Sequence, residues 1–372
     1  MQGALRLSKD FYTGTIILNL DTMVPDQLTI GSAGGQDTNA QFTIAYVSDD
    51  ELKSGVGSIV YDIVVSGLKG GHSGNEIHMG RANAIKLLTR LLWTIDRELL
   101  TRQVSSGARP SSYHISNIRG GTKRNAIPRD ALATIHVQSR DDISIIEKLV
   151  AQFTELVNEV EYKGHERVKI DLVNRIGIPQ AKPFASNFTR HVLSVLQALP
   201  SGPLSYSADF PVVSTSCNLA VVSTDISQEN LRDNRLRLTL MTRSLSEGAK
   251  NETSTRIRSI LQLAKATVID DTSATYPSWT PRRDSMIARR ARTVFDRLFD
   301  KNPTMLVSQS GLECAVVASK RRSQREEMEM LSMGPLIEQP HSPVERVHIG
   351  SVRDSYTFLK HLISDVAEYE RI

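Results

Sequence analysis

Only two of the 372 residues are cysteine, Cys217 and Cys314, and neither belongs to a CxxC pair. That excludes a disulfide-stapled scaffold or a cysteine-rich zinc module, and suits reduced, buried thiols in an intracellular protein. Long apolar runs are also missing: no stretch approaches the ~20 residues that cross a bilayer. The first twenty residues hold neither a basic start leading into a long apolar segment nor a small-residue cleavage site, so no secretory leader is expected. Charge of one sign is scarce. Forty-five basic residues against 41 acidic ones leave +4, too small an excess over this length for a nucleic-acid binder. The densest basic run, Lys320-Arg321-Arg322 with Arg325, is answered at once by Glu326 and Glu327 and reads as a solvated loop. A cytosolic protein with no nucleic-acid or membrane partner is the expectation.

What is present fits a folded chain of more than one domain. The composition is 40% hydrophobic and 23% charged, which argues against general disorder, and the length exceeds a typical single domain. Thr15-Ile-Ile-Leu-Asn-Leu20 is a short apolar run of the kind buried on both faces of a parallel sheet. Thr29-Ile-Gly-Ser-Ala-Gly-Gly35 reads as a Gly-rich turn without the spacing of a phosphate loop. From Ser58 the texture changes: a strand at 58–66, then a helix with Ile85, Leu88, Leu92 and Ile95 on one face. Strands near 113–118 and 131–137 follow, and a second helix carries Ile145, Leu149, Phe153, Leu156 and Val160. A similar order recurs at 216–269, where Leu236, Leu238 and Leu240 alternate with polar neighbours as a one-face-buried antiparallel strand does. These segments describe an inserted α+β domain at 51–282. Strand–helix alternation at 1–50 and 283–372 predicts one α/β domain built from the two ends of the chain.

Few side chains stand where chemistry needs them. Asp21 follows the C-terminal end of an apolar strand, where open α/β sheets place ligands, and reads as a hard-oxygen metal ligand or as a turn cap. Pro340-His341-Ser342-Pro343 fixes an imidazole between two prolines, which suits zinc or an ordinary loop histidine. Gly67-Leu-Lys-Gly-Gly-His-Ser-Gly74 lets backbone approach a ligand closely and puts His72 where it can donate to a developing oxyanion. Ser73 beside it lacks the Gly-x-Ser-x-Gly elbow of a serine hydrolase, and His78 shows no metal spacing. Asn125 sits in the turn Gly120-Gly-Thr-Lys-Arg-Asn-Ala-Ile-Pro128, and by type reads equally as a simple turn former. Arg243 is either a carboxylate clamp or an exposed strand arginine.

Together these stretches resemble the cytosolic non-specific dipeptidases (aminoacyl-histidine dipeptidases, peptidase D), dinuclear-zinc metallopeptidases related to the carnosinases. The resemblance runs in order through Ile17-Leu-Asn-Leu-Asp21, Gly67 to Gly74, Ile77-His78, Gly80-Arg-Ala-Asn83 and Gly120 to Pro128. It continues through Thr215-Ser-Cys-Asn-Leu219, Arg243-Ser244, Tyr276-Pro-Ser-Trp-Thr-Pro281 and Gly311-Leu-Glu-Cys314. Ser332-Met-Gly-Pro335, Pro340 to Pro343 and Val347-His-Ile-Gly-Ser-Val352 complete it. It implies a zinc-peptidase α/β domain with an inserted α+β lid and dimerisation domain. Asp21 and His341 would be metal ligands, and His72 would polarise the scissile carbonyl. Asn125, Arg243 and the backbone around Gly311 would position a dipeptide, in a homodimer.

The departures from that pattern carry expectations of their own. The family's His-x-Asp pair, bridging aspartate and Glu-Glu pair, with the general base, precede the position matched by Met1, so the chain reads as truncated relative to the family. Gln309 and Ser310 stand where the pattern has His-Ala. A catalytic zinc usually needs three protein ligands, so this chain alone is expected to hold two zinc ions weakly and to hydrolyse dipeptides poorly. The competing expectation is a non-catalytic remnant that binds or dimerises.

Overall fold

A computed structural model of the protein describes residues 2–8, 11–53, 59–106, 113–176, 181–225, 234–269, 275–321, 328–339 and 343–369. His341 with its flanking Pro340 and Ser342, Ser58, and Arg322 to Glu327 of the basic loop lie outside these described residues.

The ends of the chain meet in a small sheet. Its order is β1 (Ile16–Asn19), β15 (Glu329–Ser332), β2 (Gln27–Ser32) and β14 (Thr304–Ser308). β1 runs parallel to β15 and β2 parallel to β14. Helices α7 (Met286–Phe299) and α9 (Ile349–Tyr369) cover one face, burying Leu28, Ile30, Ile287, Val294, Leu331 and Leu362. Ser285 caps α7, its hydroxyl accepting from the Ala288 amide. Helix α8 (Glu313–Ser319) closes the other face, with Cys314 and Ala315 against Ile17 and Met330. β1 is only half-buried along its length, not fully buried as its apolar sequence suggests. It is the outer strand, with β15 alone beside it among the described residues.

The large sheet holds two copies of one path. In the first, β4 (Ile59–Ser66), α3 (Ala84–Ser106), β6 (His114–Gly120), β8 (Ala131–Val137), α4 (Arg140–Leu156) and β9 (Lys169–Asn174) give the spatial order β6-β8-β4-β9. In the second, β3 (Gly34–Thr43), α5 (Ser186–Ala198), β11 (Val213–Asp225), β12 (Arg235–Ser244), α6 (Glu247–Leu263) and β13 (Thr267–Ile269) give β11-β12-β3-β13. This is the β-α-β-β-α-β arrangement twice over. The copies join edge to edge where β6 meets β11, Gly120 opposite Val222, and β10 (Gly202–Tyr206) pairs with the other end of β11. All four helices lie on one face over a continuous core that includes Ile63, Leu88, Leu92, Ile135, Leu193, Leu219, Leu238 and Ile257. β3 is thus a strand of the large sheet although it precedes the residue-50 boundary drawn from sequence.

The chain crosses from sheet to sheet between β2 and β3, and a strap at 276–281 is bolted across that crossing. Ser32 pairs with Trp279 and Gly35 with Tyr276 through backbone bonds of 2.9 to 3.0 Å. The Gly-rich run admits the strap. A Cβ on Gly31 would stand 2.6 Å from Pro281, one on Gly34 2.5 Å from Ser278, and one on Gly35 2.4 Å from the Tyr276 ring. Lys250, with no exposed surface, donates to the Tyr276 carbonyl at 2.9 Å and pairs with Glu247 at 2.8 Å. A lysine so buried persists only because every donor direction of consequence finds an acceptor.

Candidate functional site

The uncovered face of the large sheet carries the candidate residues. β5 (Gly71–His72) pairs with β7 (Ala126–Ile127), setting His72 opposite Ala126. The preceding turn needs glycine: Gly71 has φ 138°, and a Cβ there would lie 2.1 Å from Arg81 Nη1. Arg81 donates to the Gly70 carbonyl and pairs with Glu76 at 2.7 Å, while Glu76 accepts from the His72 amide at 2.7 Å. The amides of Gly74 and Asn75 both donate to His72 Nδ1, each at 3.1 Å. Nδ1 is therefore the ring's acceptor, and the neutral imidazole carries its proton on Nε2, free to donate. Burial, then the charge of Arg243, pushes the His72 pKa below its ordinary 6.5, with Glu76 opposing. Ser73 is no nucleophile for this histidine: its hydroxyl is buried without a hydrogen-bond partner among the described residues.

Arg243 lies on β12, the strand next to β11, whose Asn218 holds β7. On β12 it sits opposite Gly35 of β3 and Ser216 of β11, and it is 4% exposed rather than a surface arginine. Its Nη1 donates to the Tyr276 hydroxyl at 2.7 Å, and its Nε has no partner among the described residues. Burial lowers its pKa, and Tyr276 and Asp37 favour the charge while Arg124 opposes it. A guanidinium with an unfilled donor has the geometry to pair with a planar acceptor such as a carboxylate. Arg124 Nη1 reaches both oxygens of Asp37 at 3.0 Å, and buried Asn218 donates to the Ala126 carbonyl at 2.8 Å. This ties the β7 turn to the sheet and presents the exposed Asn125 next to it. The carbonyl of Asn125 accepts from the Ser73 amide at 2.9 Å, so Asn125 and His72 share one turn pair.

The small sheet approaches from the opposite side. After β14, Ser308 to Ser310 turn toward Gly311, held by Ser308 Oγ accepting from the Ser310 amide at 3.1 Å. Leu312 N–H then donates to Ser32 Oγ at 3.4 Å. Asp21 is exposed beyond β1, and its carboxylate adds to the burial that pushes the Cys314 thiol up to about 12. Asp21 therefore lies in the electrostatic neighbourhood of the segment that follows Gly311. Its loop is fixed by Thr22 and Asn19, both bonded to Ser332 Oγ at 2.7 and 2.9 Å. The chain leading toward His341 runs along the same loop, Ile337 N–H donating to the Met23 carbonyl at 3.0 Å.

The structure thus brings His72, Asn125 and Arg243 onto one face, and sets Asp21 and Gly311 in the small sheet, after its outer strands β1 and β14. Sequence reasoning missed the supporting set Asp37, Arg124, Asn218 and Tyr276. Three of these sat inside stretches already singled out, Gly120 to Pro128, Thr215 to Leu219 and Tyr276 to Pro281, where an arginine beside Asn125, a polar side chain within an apolar strand and a tyrosine before proline were the available signals.

Comparisons with known proteins fit this arrangement. A family described as a peptidase dimerisation domain matches residues 63–165, most of the first copy in the large sheet. The cytosol non-specific dipeptidase of Escherichia coli (strain K12) is 32% identical over 368 residues, 98% of this chain and 69% of that protein. The crystal structure of aminoacylhistidine dipeptidase from Vibrio alginolyticus matches 99% of this chain and 68% of its own, with TM-score 0.83 and 29% identity. With that identity, that coverage and a shared fold, the chain belongs to the cytosol non-specific dipeptidase family of metal-dependent peptidases.

Proposed function

We propose that the chain binds dipeptides, Xaa-His and others, for hydrolysis at the central amide. His72 Nε2–H donates to the scissile carbonyl oxygen, and Arg243 receives the free C-terminal carboxylate. Asn125 and the backbone at Gly311 hold the remainder. The observation that carries this reading is the pair of backbone amides on His72 Nδ1, which leaves a neutral donor on the same face as a buried, incompletely paired arginine. In this reading residues 1–50 and 283–372 form the catalytic α/β domain and 51–282 the inserted lid, with β3 reaching across into the lid's sheet.

Zinc is the proposed metal, with Asp21 and His341 as the ligands this chain contributes. Among the described residues no group of three or more His, Cys, Asp or Glu side chains could hold a metal ion. The described ligand set falls short of the three protein ligands a catalytic zinc takes. A homodimer is the proposed assembly. Because β6 is already paired with β11 of the same chain, a second copy would use the outer strands β9 and β13 or the helices. No helix among the described residues is long and apolar enough to cross a membrane, and the cytosol is the proposed location.

The test is calorimetry with Gly-His and its C-terminal amide on the 372-residue chain, with and without added zinc, beside a hydrolysis assay. Wild type should prefer the free carboxylate by at least about tenfold, and R243M should lose that preference. An R243M protein that keeps the preference for the free carboxylate at unchanged affinity would sink the clamp. Hydrolysis that falls about a hundredfold or more in H72A supports the oxyanion role. Binding without turnover in saturating zinc supports the non-catalytic reading instead.

A further inference from the structure

The two sheets touch at one place close to the candidate histidine, and the residues there are the ones that depart from the family pattern. Ser310 Oγ and Asn75 Oδ1 are 2.6 Å apart, with the hydroxyl donating. Gln309 Nε2 donates to the Val213 carbonyl, at the start of β11, at 2.8 Å. The Gln309 carbonyl packs so closely on the loop that a Cβ on Gly74 would stand 2.7 Å from it. Gly74 and Asn75 are the residues whose amides hold His72 Nδ1. The connection therefore runs Ser310 hydroxyl, Asn75 side chain, Asn75 amide, His72 ring, with Gly311 the next residue after Ser310.

We infer that Gln309 and Ser310 are positioning residues that clasp the His72 loop to the end of β14. They fix the ring's acceptor nitrogen through Asn75 and hold the inserted sheet against the turn that leads into Gly311. The inference deepens the reading of His72 as the carbonyl-polarising donor and rests on it for its functional meaning. The physical basis is local. A short loop held only by its own backbone samples several conformations, and each interdomain hydrogen bond removes some of them. The Ser308 hydroxyl, bonded to both the amide and the carbonyl of Ser310, fixes the clasp on its own side at 3.1 and 2.9 Å. Ser310 can therefore restrain Asn75 instead of following it.

The experiment is amide hydrogen exchange across residues 72–77 of the full chain, with nitrogen NMR of the His72 ring, for wild type, S310A, S310T and Q309A/S310A. S310A should speed exchange at Gly74 and Asn75 by about fivefold, as expected for one net hydrogen bond. The double variant should speed it further, and S310T, which keeps the hydroxyl, should restore the wild-type rate. The His72 Nδ1 resonance should shift toward a solvent-exposed acceptor in S310A and return in S310T. Unchanged exchange in both S310A and the double variant overturns the clasp. Acceleration spread equally over β8 overturns it too, by assigning these residues to general stability. Because these readouts need no turnover, failure of the clasp is distinguishable from failure of the His72 assignment, which the H72A assay tests.

Discussion

Tyr276→Phe removes a single oxygen from the molecule, and the consequence can be worked out. The Tyr276 hydroxyl is 2.7 Å from Arg243 Nη1, both side chains are buried, and among the described residues Arg243 Nε is already without a partner. The ring itself keeps its packing against Ala4, Met241 and Val316. The variant thus leaves a second buried guanidinium N–H unpaired and changes little else. Hydrogen bonds to charged groups contribute about 1.5–3 kcal/mol, and leaving one partner buried and unsatisfied costs a similar amount. A loss of about 2 kcal/mol is expected in a chain carrying Arg243. On an R243M background there is no guanidinium to strand, and the same change should cost under about 0.5 kcal/mol. The assay is urea unfolding of the four proteins followed by fluorescence of Trp279, which is 5% exposed and lies in the strap beside Tyr276. The fitted slope should be equal across the set, which licenses the comparison. Additive effects, with a coupling below about 0.5 kcal/mol, would refute the argument that Tyr276 satisfies and orients the arginine.

Two further outcomes follow from the electrostatics. Burial pushes the thiols of Cys217 and Cys314 up to about 12, so neither should react with a disulfide reagent at pH 8 until the chain is unfolded. Rapid labelling of two thiols in the native protein would contradict that burial. The His72 pKa is depressed in the folded chain, so the folded state binds this proton less readily than the unfolded one. Its stabilising contribution is present above the ordinary 6.5 and is lost as pH falls through the lower folded value. Proton NMR should show the 72–75 loop losing protection in that acid window, where a protonated Nδ1 no longer accepts the Gly74 and Asn75 amides. Loop protection that stays flat through the pH at which the His72 ring itself takes up its proton would contradict the acceptor assignment.

Much of the fold was legible because local pattern and burial agree. Ile85, Leu88, Leu92 and Ile95 fall on the buried face of α3, and Leu236, Leu238 and Leu240 point into the core from β12. Where a segment is apolar nearly all round, periodicity could not choose. The expected stripe Ile145, Leu149, Phe153, Leu156 and Val160 on α4 is not the buried one. The helix buries Ile143, Ile146, Val150 and Phe153, and leaves Leu156 and Val160 exposed beside a π-turn at Val157–Glu161. Packing on α3 and the sheet chose the face. The Gly-rich run at 29–35 read as a turn but is the end of β2 and the start of β3; its glycines admit a strap more than 240 residues later, a partner invisible to local reasoning.

The sequence by itself determined the elements whose apolar periodicity is plain, such as β4, α3, β8 and β12, and named His72, Asn125 and Arg243 as candidates, since each rests on residue type and near neighbours. Tertiary structure decided which of those groups is neutral, buried or unpaired. Arg243 is buried because the strap covers the end of β12, and His72 presents Nε2 because two amides from its own loop occupy Nδ1. Protonation, burial and orientation depend on atoms contributed by distant segments, and only the folded chain puts those atoms within a few ångströms.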